Sequence, residues 1–223
     1  MAVLTIQPTT RVQPKFDRPY AIIVGHPRSG THLLEECLAS HPKIHKRSEC
    51  VLRYRQWLEG ENLSKTISRK YIFNNLPRSV NIAIVMYKEL PLLETLCGPL
   101  AGFKLIHLLR DPADVARSCA QWKANKAKYG EKARAHYKIT ETPPPNAKFS
   151  AASVRTLTRQ VKKLQDQHAA LFAQHPATLT VHYEEFTGSR EVNQLPDAFS
   201  RKILKFIGLK PCPLFCDLRK TGS

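Results

Sequence analysis

A chain of 223 residues that is 42% hydrophobic suits one domain with a sizeable core, which excludes disorder as the default state. Its formal net charge of +17 leaves three readings open that charge alone does not separate: a solubility device, a nucleic-acid binder, or a site for polyanionic small molecules. No stretch approaches ~20 consecutive apolar residues, so no membrane-spanning helix is expected.

Residues 1–18 are polar, carry Pro8 and Pro14, and read as an arm ahead of a single domain over 19–223. They lack the apolar run of a signal peptide. Residues 20–24 form a short apolar run, as in a strand buried on both faces. Leu33, Leu34, Cys37 and Leu38 then repeat at helical spacing, and 51–58 and 64–73 also read as helices. Buried strands are expected at 82–87 and 103–109. Asp111 can cap the following helix and Pro112 suits its first turn, with Val115, Cys119 and Trp122 on one face. The Lys-rich segment 123–148 closes with three prolines and reads as a basic, mobile loop, a candidate lid. Ser150 starts a long amphipathic helix with Arg155, Arg159, Lys162 and Lys163 on its polar side. A fourth strand over 178–183 and a helix over 199–207 complete the pattern. Strands alternating with helices predict a three-layer α/β domain, a mostly parallel central sheet with helices on both faces.

Six cysteines without repeated spacing fit a reduced, cytoplasmic compartment. Cys37 and Cys119 fall on apolar helix faces as small core residues. Cys212 and Cys216 have no histidine pair nearby to make a metal site.

The chemistry concentrates between the first strand and the first helix, in GHPRSGTHLL, Gly25 to Leu34. Gly25 and Gly30 have the spacing of an ATP-binding P-loop, but Thr31 and His32 stand where that loop has its lysine and its magnesium-binding hydroxyl. The cation is instead Arg28, inside the loop. Backbone N–H groups at a helix N-terminus still favour an anion, and Ser29 and Thr31 add hydroxyl donors. No acidic pair ends an apolar strand to supply a second magnesium ligand. A phosphate site that needs no metal is expected.

PRSGTHLL, Pro27 to Leu34, resembles the 5′-phosphosulfate loop of the sulfotransferases that use 3′-phosphoadenosine 5′-phosphosulfate (PAPS). LIHLLRDPADVARS resembles the second motif of that family, a strand ending in Arg with Ser eight residues later, here Arg110 and Ser118. Both can converge on the 3′-phosphate, Arg110 as a bidentate donor. VHYEEF around Tyr183 is similar to a late family segment. LRKTGS, with Arg219 and Lys220, is similar to the basic loop that closes over the 3′-phosphate. The resemblance spans about residues 20–220 and implies PAPS as donor, 3′-phosphoadenosine 5′-phosphate (PAP) as product, and no metal. It assigns donor binding to Arg28, Ser29, Gly30, Thr31, His32, Arg110, Ser118, Tyr183, Arg219 and Lys220. Golgi members of the family carry an N-terminal membrane anchor, and none is expected here.

Transfer to a hydroxyl or amine needs a general base. Two carboxylates compete. Glu49 lies at the distance beyond the loop where tyrosylprotein and glycosaminoglycan sulfotransferases, which this spacing resembles, place a base. Glu89, in YKELP, resembles the position of the cytosolic branch's histidine, with a solvated carboxylate as its plainer reading. Glu49 is favoured. Lys88 resembles the lysine that stabilises the transferred group, or else is a strand-end lysine reaching water. Arg53, Tyr54, Arg55 and Trp57 suit a small-molecule or carbohydrate acceptor, or a helix with one solvated face. A basic nucleic-acid-binding protein and a P-loop nucleotide kinase remain the alternatives. The low aromatic content and the missing lysine after Gly30 count against them, and no nucleic-acid or membrane partner is expected.

Overall fold

The computed structural model describes residues 20–49, 80–97, 100–129, 150–187 and 194–215. The arm, the helices expected at 51–58 and 64–73, loop residues 130–148, Arg219 and Lys220 lie outside the described residues, as do Cys50, Arg53, Tyr54, Arg55, Trp57 and Cys216.

The described elements in chain order are β1 (Tyr20–Gly25), α1 (Thr31–Ala39), β2 (Ile44–Ser48), β3 (Val80–Met86), a short 3₁₀ turn (Tyr87–Glu89) and α2 (Leu90–Cys97). Then come β4 (Lys104–Leu109), α3 (Pro112–Tyr129), α4 (Ala151–Ala173), β5 (Thr178–His182), α5 (Tyr183–Thr187) and α6 (Asp197–Ile207). The strands form one sheet in the order β2-β3-β1-β4-β5, and every pairing is parallel.

Successive residues of a strand face opposite sides of the sheet, so each continuous apolar run feeds two cores. Ala21 and Ile23 of β1 join Leu34 and Leu38 of α1 and Phe199, Ile203 and Ile207 of α6 on one face. Ile22 and Val24 join Leu90 and Leu93 of α2 and Phe172 of α4 on the other. The result is the expected three layers. As expected, Asp111 caps α3, its Oδ1 accepting the N–H groups of Ala113 and Asp114, and Ser150 caps α4 through the N–H of Ser153.

Three expectations change. A second strand, β2, stands where the sequence reading had only a turn after α1; it pairs along β3 at the sheet edge. Helix α3 continues through Tyr129 and takes the first residues of the segment expected as a loop from 123. Tyr183 begins α5 rather than ending β5.

β1 pairs with β3 on one side and β4 on the other, and Gly25 stands level with both Met86 and Leu108. After β1 the chain builds one half of the sheet and then crosses to the other. The carboxyl ends of β1, β3 and β4 therefore flank the crevice where open parallel sheets hold ligands.

Candidate active site

The chain leaves β1 at Gly25, turns through 26–30 and enters α1. The turn is closely packed: a Cβ at Gly25 would lie 2.7 Å from Ser29 Oγ and 3.1 Å from the Leu108 carbonyl oxygen. Arg28 and Gly30 both adopt positive φ, +72° and +97°. Backbone of this kind turns successive N–H groups to a common side and favours an anion. Gly30 is the N-cap of α1 and gives it no side-chain cap, so the positive end of the helix dipole faces the loop. Ser29 is fully buried and its Oγ has no hydrogen-bond partner. A phosphate fits these features: it would satisfy the orphaned hydroxyl and meet the uncapped helix end.

One flank of the loop is a cluster of cations on aromatic rings. Arg28 Nε donates to Ser118 Oγ at 3.2 Å, and its guanidinium lies over the Trp122 ring, 5.5 Å from the centroid. Arg110, just past β4, donates from a terminal guanidinium nitrogen to the Arg28 carbonyl at 3.2 Å. Its guanidinium stacks over Tyr183 at 4.2 Å, and its buried Nε has no hydrogen-bond partner. The Arg110 carbonyl accepts from Gln165 Nε2 of α4 at 2.9 Å, which fixes the strand end. A Cβ on Gly30 would lie 2.4 Å from the Tyr183 ring. The loop, the end of β4, α3 and α5 thus meet at one place. Trp122 and Tyr183 form its walls.

The other flank carries the carboxylates and Lys88. Glu49 follows β2 directly, and its Oε1 lies 3.2 Å from His32 Nε2. The Glu49 side chain keeps 26% of its surface and that of His32 keeps 50%, so both are open to a ligand. Lys88 is exposed in the 3₁₀ turn, two residues past β3 rather than on its end. Glu89 corrects the expectation of a solvated carboxylate. It is 1% exposed, and its Oε2 accepts the Met86 N–H at 3.1 Å inside the turn. Glu89 therefore holds up the turn that presents Lys88, whereas Glu49 faces the opening.

His32, expected to bind the donor, has its side chain against Glu49. Cys119 is half-buried beside the loop, its Sγ 3.7 Å from the Pro27 carbonyl, and burial raises its thiol pKa. Cys37 is a core residue as expected. Burial also lowers the pKa of His26, against a smaller opposing effect of its bond to the Pro27 carbonyl. Sequence reading passed over Glu35, which lies on the buried side of α1 with Thr31, Leu34 and Leu38. An acid inside an apolar helical stripe was the signal.

Residues 19–82, which carry the loop, α1 and Glu49, match the model of the sulfotransferase family. No curated protein sequence matches the chain. Among solved structures, mouse sulfotransferase SULT7A1 complexed with PAP is similar at 19% identity and a TM-score of 0.52 over 87% of this chain. The chain spans 60% of the length of that mouse protein. A sulfotransferase from Alicyclobacillus acidocaldarius is similar at 17% identity and a TM-score of 0.52, covering 86% of this chain and 82% of its own. The sulfotransferase domain from the Curacin biosynthetic pathway is similar at 18% identity and a TM-score of 0.55, covering 86% of this chain and 75% of its own. The chain has the α/β fold shared by these sulfotransferases, and the matched family segment contains the loop between β1 and α1.

Proposed function

We propose that this chain is a cytoplasmic sulfotransferase that moves the sulfuryl group of PAPS to a hydroxyl or amine of a small-molecule or carbohydrate acceptor, without a metal. The observation that carries the reading is the convergence of Arg28, Arg110, Ser118 and Tyr183 around an uncapped helix N-terminus. Two anion subsites adjoin there, as a nucleotide with separate 5′ and 3′ charges requires.

The donor supplies a sulfuryl group on a 5′-phosphate leaving group. The loop N–H groups and Ser29 hold that phosphate, and Arg28 and Lys88 meet the charge that develops on the bridging oxygen. Arg110 and Ser118 hold the 3′-phosphate, with Arg28 released from Ser118 as the nucleotide enters. Tyr183 backs Arg110. Glu49 takes the proton from the acceptor as its oxygen or nitrogen attacks sulfur, the S–O bond to the phosphate breaks, and PAP leaves. His32, bonded to Glu49 and half exposed, orients that carboxylate.

Thermal unfolding with PAP tests the reading. PAP should raise the melting temperature equally with and without EDTA, and adenosine 5′-diphosphate, which lacks the 3′-phosphate, should do much less. Equal stabilisation by both nucleotides would remove Arg110 and Ser118 from the 3′ subsite. An acceptor screen by mass shift then identifies the substrate class.

A further inference from the structure

Helix α1 does more than begin at the loop. Glu35 is 1% exposed, yet its carboxylate grips the end of the neighbouring strand. Its Oε1 accepts the Ser48 N–H at 2.6 Å and its Oε2 accepts the Ser48 hydroxyl at 3.0 Å. Ser48 has φ +50°, one of two positive-φ residues other than glycine among the described residues. It also lies just past the point where the pairing of β2 with β3 slips: Lys46 stands opposite Ile82, but Ser48 stands opposite Ala83. A bulge of this kind bends a strand and re-aims the residues beyond it. The next residue is Glu49, whose carboxylate meets His32, three residues before Glu35 on the same helix.

We infer that Glu35 is a positioning residue for Glu49: by holding both donors of Ser48 it keeps the left-handed turn that presents the Glu49 carboxylate at the opening. A left-handed serine is strained and persists only where its surroundings hold it. Burial raises the Glu35 pKa while the two Ser48 bonds oppose that, so the carboxylate is held in an unfavourable setting by the contacts that fix the turn. The inference rests on the proposed role of Glu49 for its kinetic consequence, but the geometry it asserts has a readout that needs no activity.

The first readout is the side-chain NMR signal of His32 in the full chain. Glu49→Gln changes the group facing His32 and should shift that signal. Glu35→Ala should shift it as well, by releasing Glu49, whereas Glu35→Gln offers a carbonyl to the Ser48 N–H and should leave it near its wild-type position. The second readout is kinetic. Glu35→Ala should lower kcat about 30-fold or more while PAP affinity stays within about twofold, and Glu35→Gln should recover most of the turnover. If Glu35→Ala does not fold, Ser48→Val serves instead: a β-branched residue disfavours positive φ and leaves the helix intact. An unmoved His32 signal in Glu35→Ala or Ser48→Val overturns the inference. So does a parallel fall of PAP affinity and kcat, which would make Glu35 a support of the whole fold. A wild-type chain that neither binds PAP nor transfers sulfuryl groups refutes the proposed function instead, and the His32 signal still decides the position of Glu49.

Discussion

Replacing Gly30 with alanine tests the packing of the proposed nucleotide subsite most directly. Two costs add. The residue has φ +97°, beyond the left-handed region that side chains tolerate, a penalty of about 1–2 kcal/mol. The new Cβ would also lie 2.4 Å from Cδ2 and 2.5 Å from Cε2 of Tyr183, whereas ordinary contact begins near 3.4 Å. The ring must therefore retreat by roughly 1 Å, in the range of overpacking costs of about 1–3 kcal/mol. It is hemmed in by Phe186, edge-on at 5.4 Å between centroids, and by the Arg110 guanidinium at 4.2 Å. The sum is about 3 kcal/mol, which for a chain of this size lowers the melting temperature by about 6–12 °C. Because the retreating ring carries Arg110, PAP affinity should fall too. Differential scanning calorimetry with and without PAP measures both effects. Gly102→Ala is the control: a Cβ there meets nothing within 4 Å, and its melting temperature should barely move. A Gly30→Ala protein that melts within about 2 °C of wild type and keeps its PAP affinity would refute this account, because Tyr183 would not be packed against the loop.

Three further outcomes are expected. Glu49→Gln should lower turnover roughly 10²-fold with PAP affinity retained, while Glu89→Gln, which keeps an acceptor for the Met86 N–H, should lower it far less; steady-state kinetics and PAP titration separate the two carboxylates. Lys88→Ala should reduce kcat more than donor binding, and Arg110→Ala should weaken PAP binding by about 2–3 kcal/mol, or roughly 30- to 150-fold, with matching losses for both variants contradicting separate roles. His107 is buried, and burial, with smaller contributions from His168 and His182, lowers its pKa from 6.5 to about 4. The native state therefore keeps it neutral where the unfolded chain would protonate it. Its contribution is full above pH 6.5 and is lost as pH falls toward 4, up to about 3 kcal/mol. His107→Gln retains an acceptor for the Tyr87 hydroxyl, 2.7 Å away in the wild type, and should flatten the dependence of melting temperature on pH over that window.

The strand–loop–helix order was legible along the chain because its signals are local. Apolar or β-branched runs marked β1, β3, β4 and β5; Asp111 and Ser150 marked the starts of α3 and α4; and a glycine pair around Arg28 marked the turn between β1 and α1. The second strand was not legible. IHKRS is short and polar, and it is a strand because β3 offers it an edge to pair with. Tyr183 read as strand because it continues the β-prone run TLTVH, but α5 begins at that residue. The nearness of Arg28 to Ser118, 90 residues apart in sequence, comes from β1 and β4 lying side by side. The difference between Glu49 and Glu89 arose the same way. Each is a glutamate a residue or two past a strand, yet one carboxylate folds back onto a buried backbone N–H and the other lies partly exposed against His32. Local sequence sets which residues can be helix, strand or loop, since that depends on neighbours along the chain. Which carboxylate is buried, and which side chains share a site, depends on the strand order, which brings distant segments together and takes their polar groups out of water.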